Sequence, residues 1–165
     1  MTTETLTKEP SSIYTIRFQD CDPMGHLNNA RFIDYTLNAR EDHLIEYYNI
    51  SLREYMQKGL GWMVAGHEIF YRKPAMYNEK VLIRTSLIHY GESDLLMEGV
   101  IMDAAETHLK ALIWTRFVFV NIRTGKKEVH SEDLLGFFAS VLKSEIAPAG
   151  AKERLQQLSE AVKIK

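Results

Sequence analysis

The densest grouping of reactive side chains in the sequence is the run Asp20-Cys21-Asp22-Pro23-Met24-Gly25-His26-Leu27-Asn28-Asn29-Ala30-Arg31-Phe32. It places two carboxylates, a thiol, an imidazole and two carboxamides between a strand-like segment and a helix-like one. Free backbone N–H groups at a helix N-terminus can stabilise a developing oxyanion, so such a loop is a good place for function. Each part also has an ordinary structural reading. Asp-Pro-x-Gly favours a type I turn, and Asn ahead of a helix favours a cap. What singles the run out is the combination, with His26 four residues after Asp22. Adjacent residues on an extended segment point to opposite sides, so Cys21 and Asp22 do not both face one substrate. A free cysteine most often packs as a small apolar group, and Asp22 is the stronger candidate. Asp20 shares parity with Asp22 and reads as a solvated or capping residue.

The elements that must position this loop follow from changes in hydrophobic period. Ile13 to Phe18 is rich in β-branched and aromatic residues and predicts a first strand. From Ala30 the period becomes helical: Ala30, Ile33, Leu37, Leu44 and Tyr48 recur at spacings of three and four, with Glu41 in the one gap. A helix of about five turns is expected, followed by a short one over Ser51 to Lys58. Gly61 to Lys73, Lys80 to Tyr90, Leu95 to Asp103 and Leu109 to Asn121 predict four long strands, with links short enough for antiparallel neighbours. In the last of these, Leu109, Ala111, Ile113, Phe117 and Phe119 share one face and Leu112, Trp114, Val118 and Val120 the other. Both faces are expected to be partly buried, one on the helix and one on another subunit. Ser131 starts a C-terminal helix, and Leu155, Leu158 and Val162 mark a final amphipathic one after Pro148 and Gly150.

The chain of 165 residues, 45% hydrophobic and 25% charged, fits one globular domain. Nothing approaches the 18 uninterrupted apolar residues of a membrane-spanning helix. Residues 1–12 are expected to be a disordered tail without a targeting pattern, consistent with a cytoplasmic protein. A net charge of −2 gives no basic stripe for nucleic acid. The single cysteine excludes an intramolecular disulfide, and the histidines lack metal-ligand spacing, so no metal is expected.

The loop motif resembles the signature of hot dog-fold thioesterases, in the branch that holds 4-hydroxybenzoyl-CoA thioesterase and the fatty-acyl thioesterases. Asp20-Cys21-Asp22-Pro23-Met24-Gly25 is similar to the hydroxybenzoyl type, and Gly25-His26-Leu27-Asn28-Asn29-Ala30-Arg31-Phe32 to the fatty-acyl type, with Leu27 replacing a commoner Val. The order of elements over roughly residues 13–130, and Ile69-Phe70-Tyr71-Arg72-Lys73-Pro74-Ala75 after the helix, also resemble the family. The resemblance implies an α+β hot dog fold, an antiparallel sheet wrapped around one long central helix, over residues 13–145. A C-terminal helical tail over 146–165 extends it. It further implies a homodimer joined sheet edge to sheet edge, or a dimer of dimers, with active sites at the interface.

On that resemblance the family acid falls on Asp22, either as general base towards water or as nucleophile towards the thioester carbonyl. His26, Asn28 and Asn29 are candidates to position water or the acyl carbonyl. Gly25, Arg72 and Lys73 are candidates to contact an acyl-CoA, the two cations through its phosphates. Arg123, Lys126 and Lys127 are further cations of this kind, although a solvated strand edge explains all five equally well. Related enzymes place the acid on the long helix, which nominates Asp34, Glu41 or Asp42. These read as ion-pairing partners of Arg31, Arg40 and His43, and Glu68 as a buried polar contact. The expected function is hydrolysis of an acyl-CoA to free acid and CoA, and the resemblance implies no cofactor. The alternatives are hydrolysis of an acyl-carrier-protein thioester and a non-catalytic domain that binds an acyl thioester or a protein.

Overall fold

The computed structural model describes residues 6–147 and 150–163. Five strands form one antiparallel sheet in the order β1-β3-β4-β5-β2: β1 (Ser11–Thr15), β2 (Leu60–Tyr71), β3 (Lys80–Tyr90), β4 (Asp94–Asp103) and β5 (Leu109–Asn121). The long helix α1 (Arg31–Tyr48) lies on one face, and a short α2 (Leu52–Gln57) leads into β2. The chain ends in α3 (Glu132–Val141), capped by the Ser131 side chain accepting from the Leu134 N–H, and α4 (Ala151–Lys163). The four long strands and the helices fall where periodicity predicts them, within a residue or two.

The first strand is displaced from its predicted span. It begins at Ser11 because β3 offers partners as far as Arg84, and it ends at Thr15 where β3 starts at Lys80. Beyond Ile16 the chain turns outward through a short 3-10 turn, Phe18–Asp20. Residues 6–12, expected as part of a disordered tail, are docked. Thr7 accepts from the Tyr48 hydroxyl, Glu9 pairs with Lys143, and buried Pro10 accepts from the Thr85 N–H. Residues 1–5 of that predicted tail, and Pro148 at the start of the final segment, lie outside the described residues.

The face that α1 turns to the sheet differs from the apolar stripe. Phe32, Thr36, Ala39 and His43 are its buried residues, while Ile33, Leu37 and Leu44 flank them half-buried, and Ala30 and Glu41 are exposed. The reason is the closeness of the helix to β4. A Cβ on Gly99 would stand 2.3 Å from Cγ2 of Thr36, so the contact admits only a glycine on the strand and a small residue on the helix. The polar members of this face are satisfied. The Thr36 hydroxyl donates to the Phe32 carbonyl, and the His43 ring is held between the hydroxyls of Ser12 (3.0 Å) and Thr85 (2.7 Å). Burial lowers the His43 pKa, which keeps the imidazole neutral at neutral pH.

The opposite face of the sheet meets this chain's own C-terminal helix, where another subunit was expected. Ile88, Leu96, Val100, Leu112 and Trp114 form a core with Ile146 and Ala151, against which Leu155, Leu158 and Val162 pack. Leu109 joins this outer cluster rather than the inner one, because the β4–β5 register shifts at Ile101/Met102 and reverses its side. Polar contacts fix the helix in place. The fully buried Glu98 accepts from the Arg154 guanidinium at 2.8–3.1 Å and from the Trp114 indole N–H at 3.0 Å.

Two stability predictions follow from these contacts. Arg154→Ala leaves the Glu98 carboxylate buried without its charge partner, and urea unfolding is expected to show a loss of about 3–5 kcal/mol. Gly99→Ala is expected to cost about 1–3 kcal/mol by overpacking. Adding Thr36→Ser, which removes the clashing methyl, should recover most of that loss in the same assay.

Candidate functional site

The loop before α1 folds as a tight turn built on Asp22. Its N–H donates to the His26 carbonyl (2.9 Å), and its own carbonyl accepts from the Gly25 N–H (3.0 Å). Gly25 sits at φ +80°, a left-handed conformation that glycine adopts without steric cost. The Asp22 side chain completes the turn. Oδ1 accepts from the Met24 N–H at 2.9 Å, and Oδ2 lies 3.0 Å from Nδ1 of His26. The pair is only partly shielded, with side-chain exposures of 23% for Asp22 and 27% for His26. With Nδ1 turned to the carboxylate, Nε2 of His26 has no hydrogen-bond partner among the described residues.

The turn is stitched to the segment that follows β2. Leu27 donates to the Ala75 carbonyl (2.8 Å), Tyr77 donates to the Gly25 carbonyl (3.0 Å), and His26 faces Met76 across an antiparallel bridge. Tyr35 of α1 ties in the other side, its hydroxyl donating to Asp20 Oδ2 at 2.9 Å. Asp20, expected as a solvated or capping residue, is instead an anchor of the loop and caps no helix. Cys21 is half-buried against the inner core, with Sγ donating to the Arg17 carbonyl. Burial, reinforced by Asp20 and Asp22, pushes its thiol pKa up, which disfavours a thiolate.

The other predicted site residues fall in different surroundings. Asn28 starts the helix, its side-chain oxygen accepting from the Ala30 N–H (3.0 Å) and its carbonyl from the Arg31 N–H (2.8 Å). The Asn29 carbonyl accepts from the Tyr71 hydroxyl (2.8 Å), which fastens the end of β2 to the helix start. Arg72 and Lys73 both donate backbone N–H groups to the Lys110 carbonyl, and the Arg72 guanidinium reaches Ser159 on α4 at 3.4 Å. Arg72 thus reaches the helix on the outer face, whereas Tyr71 packs against Phe32 of α1. Of the rival acids, Asp34 pairs with Arg31, Asp42 accepts from the Tyr14 hydroxyl, and Glu41 and Glu68 are exposed. The exposure of Glu68 overturns its reading as a buried contact. Among the described residues, no three histidine, cysteine or carboxylate side chains are grouped to hold a metal ion.

Tyr35 and Tyr71 are positioning residues that the sequence alone did not single out, since a tyrosine's hydroxyl partner depends on the tertiary fold. The surface around the turn is unusually apolar. Phe18, Met24, Met76 and Tyr77 are exposed, and Phe18 meets Tyr77 edge to face at 5.8 Å. The edge strand β2 is open, with Met63 and Val64 exposed. No helix among the described residues is long and apolar enough to cross a membrane.

Comparison with known proteins agrees with this architecture. The fold is similar to that of 1,4-dihydroxy-2-naphthoyl-CoA thioesterase from Synechocystis, with a TM-score of 0.72, 16% identity and coverage of 84% of this chain and 99% of that one. DHNA-CoA thioesterase from Staphylococcus aureus gives a TM-score of 0.72 at 17% identity, covering 93% and 94%. A probable thioesterase from Escherichia coli gives 0.68 at 22%, covering 81% and 98%. No curated protein gives a sequence match. The sequence does match the thioesterase-like superfamily over residues 16–146, from just after β1 to the linker before α4. A central helix on an antiparallel sheet, with the Asp22 turn at the head of that helix, is the hot dog arrangement, and the chain belongs to the thioesterase-like superfamily.

Proposed function

We propose that this protein is an acyl-CoA thioesterase that hydrolyses an acyl thioester to free acid and CoA by a mechanism centred on Asp22. The family gives the class, thioester hydrolase. The observation that carries the finer reading is the Asp22–His26 pair, held on a rigid turn at the head of α1. In this mechanism the Asp22 carboxylate takes a proton from water as the water oxygen attacks the thioester carbonyl. The tetrahedral intermediate collapses with cleavage of the C–S bond, and the CoA thiolate leaves and is protonated. The same carboxylate as nucleophile would form a mixed anhydride that water then opens.

A second assignment within this turn is favoured by one contact. Because His26 Nδ1 lies 3.0 Å from Asp22 Oδ2, Asp22 also suits the role of orienting the imidazole, with Nε2 as the base. Gly25 shapes the turn, Asn28 and Asn29 set the helix start beside it, and Arg72 and Lys73 remain the proposed contacts for the CoA phosphates. The apolar surround of Phe18, Met24, Met76 and Tyr77 supports an acyl group or a second subunit at this place. The open β2 edge supports a homodimer paired sheet to sheet, or a dimer of dimers. Two of the similar structures are thioesterases named for naphthoyl-type CoA esters, so aromatic acyl groups belong in the substrate search.

Thiol release with short-chain, long-chain and aromatic acyl-CoAs tests the activity. Asp22→Asn is expected to lower kcat by roughly 10²-fold or more, and His26→Ala by less. A loss in His26→Ala equal to or larger than that in Asp22→Asn would assign the base to His26. Full activity in Asp22→Asn would remove Asp22 from the chemistry. Silence across the panel from folded protein would favour carrier-protein thioesters or a binding role. Sedimentation equilibrium at micromolar concentration should give a dimer or tetramer, and a monomer would overturn the edge pairing.

A further inference from the structure

A cavity of about 80 Å³, partly open to the surface, lies under the C-terminal half of α1, between the inner face of the sheet and α3. Its wall is mostly apolar, with Trp62, Leu95, Met97, Phe117, Leu134 and Phe138 among the lining residues. One cation enters it. Arg40 follows Thr36 by one helical turn and so projects close to the buried face of α1, with its guanidinium carbon 4.2 Å from the centre of the Phe117 ring. Glu41 is the next residue, but it is exposed, and no hydrogen bond or ion pair joins Arg40 to any carboxylate among the described residues. Burial lowers the Arg40 pKa to about 10, so the group stays charged at neutral pH, with the neighbouring Glu41 charge acting on it through space but making no ion pair with it. Of the other ionisable groups on the wall, His43 has both ring nitrogens occupied by Ser12 and Thr85 and is neutral, and burial pushes the Tyr48 hydroxyl up to about 12, so it is neutral as well.

We propose that this cavity binds a small amphiphilic monocarboxylate, an aromatic or short aliphatic acid, with its carboxylate on Arg40 and its apolar body between Phe117, Trp62 and Phe138. Charge complementarity chooses the occupant. A planar guanidinium presents paired donors to a carboxylate, and aromatic walls take a ring or a short chain. The site is separate from the Asp22 turn. Arg40 is roughly 13 Å along the helix from its first residue, at 1.5 Å per residue. The packed cluster of Ile16, Phe32, Ile83, Ile101 and Ile113 fills the inner core at the other end of α1. A free acid is also what thioester hydrolysis releases, which makes the cavity suited to sensing the product class. The binding claim itself does not depend on the thioesterase reading.

Isothermal titration of the full-length protein with benzoate and hexanoate, beside the neutral isosteres benzamide and hexanamide, tests the proposal. At least one acid should bind saturably below millimolar concentration, and its amide should bind about 10-fold or more weakly, the scale of one hydrogen bond to a charged group. Arg40→Gln should reduce acid binding to the level of the amide, while Asp22→Asn should bind the acid as the wild type does. No saturation by either acid at 10-millimolar order, amide binding equal to acid binding, or undiminished acid binding by folded Arg40→Gln would each overturn it. The acid–amide comparison needs no variant, so it decides the matter even if Arg40→Gln does not fold. Acid binding without turnover would leave this inference standing while the thioesterase reading fell.

Discussion

The contact between Thr36 and Gly99 sets the distance between the helix and the sheet, and much else is a consequence of it. A helix can lie this close to a strand only where neither side presents bulk, and here a single added methyl at Gly99 has nowhere to go. With the middle of α1 pinned, its two ends are fixed in space. The N-terminal end stands over the Asp22 turn, where Tyr35 and Tyr71 tie it to the loop and to the end of β2. The C-terminal end stands off from the sheet far enough to leave the cavity that Arg40 enters.

The two faces of the sheet are secured by different means. Where α1 comes closest, the inner face uses a small residue, buried hydroxyls and a neutral histidine, and Thr36 and His43 have their hydrogen-bond partners. The outer face uses an apolar cluster fixed in register by one buried ion pair, Glu98 with Arg154. An ion pair in this position contributes orientation more than net stability, since its desolvation offsets much of the Coulomb attraction. Its effect is to place α4 where Leu155, Leu158 and Val162 cover the sheet. The β2 edge and the apolar residues around the turn are left uncovered by this chain.

The reactive loop combines a rigid turn with an exposed location. Backbone hydrogen bonds hold Asp22, Gly25 and His26 at both ends of the turn, so the carboxylate and imidazole keep their relation without deep burial. Rigidity of this kind suits catalytic positioning, because a group held in place loses little entropy when it meets substrate. The pair is half-open, and exposed apolar residues lie around it.

The positions of the strands, the helix and the turn were legible in the sequence because they depend on local periodicity and on turn chemistry. Val, Ile and aromatic runs define β2 to β5, and Asp22-Pro23-Met24-Gly25 carries its own geometry in the proline and the glycine. The family resemblance rests on the same local run. What the sequence could not supply were the facts that depend on which surfaces meet. The stripe of Ile33, Leu37 and Leu44 suggested the inward face of α1, yet Thr36 and His43 occupy it, because the tolerance for small and polar residues there is set by Gly99, Ser12 and Thr85, far away in the chain. The sidedness of Leu109 turned on a register shift with β4, and the cover over Leu112 and Trp114 proved to be α4 rather than another subunit. The isolation of Arg40 is of the same kind. A sequence shows that a cation has an acidic neighbour in Glu41, but only the packed fold shows that the two side chains lie in different environments.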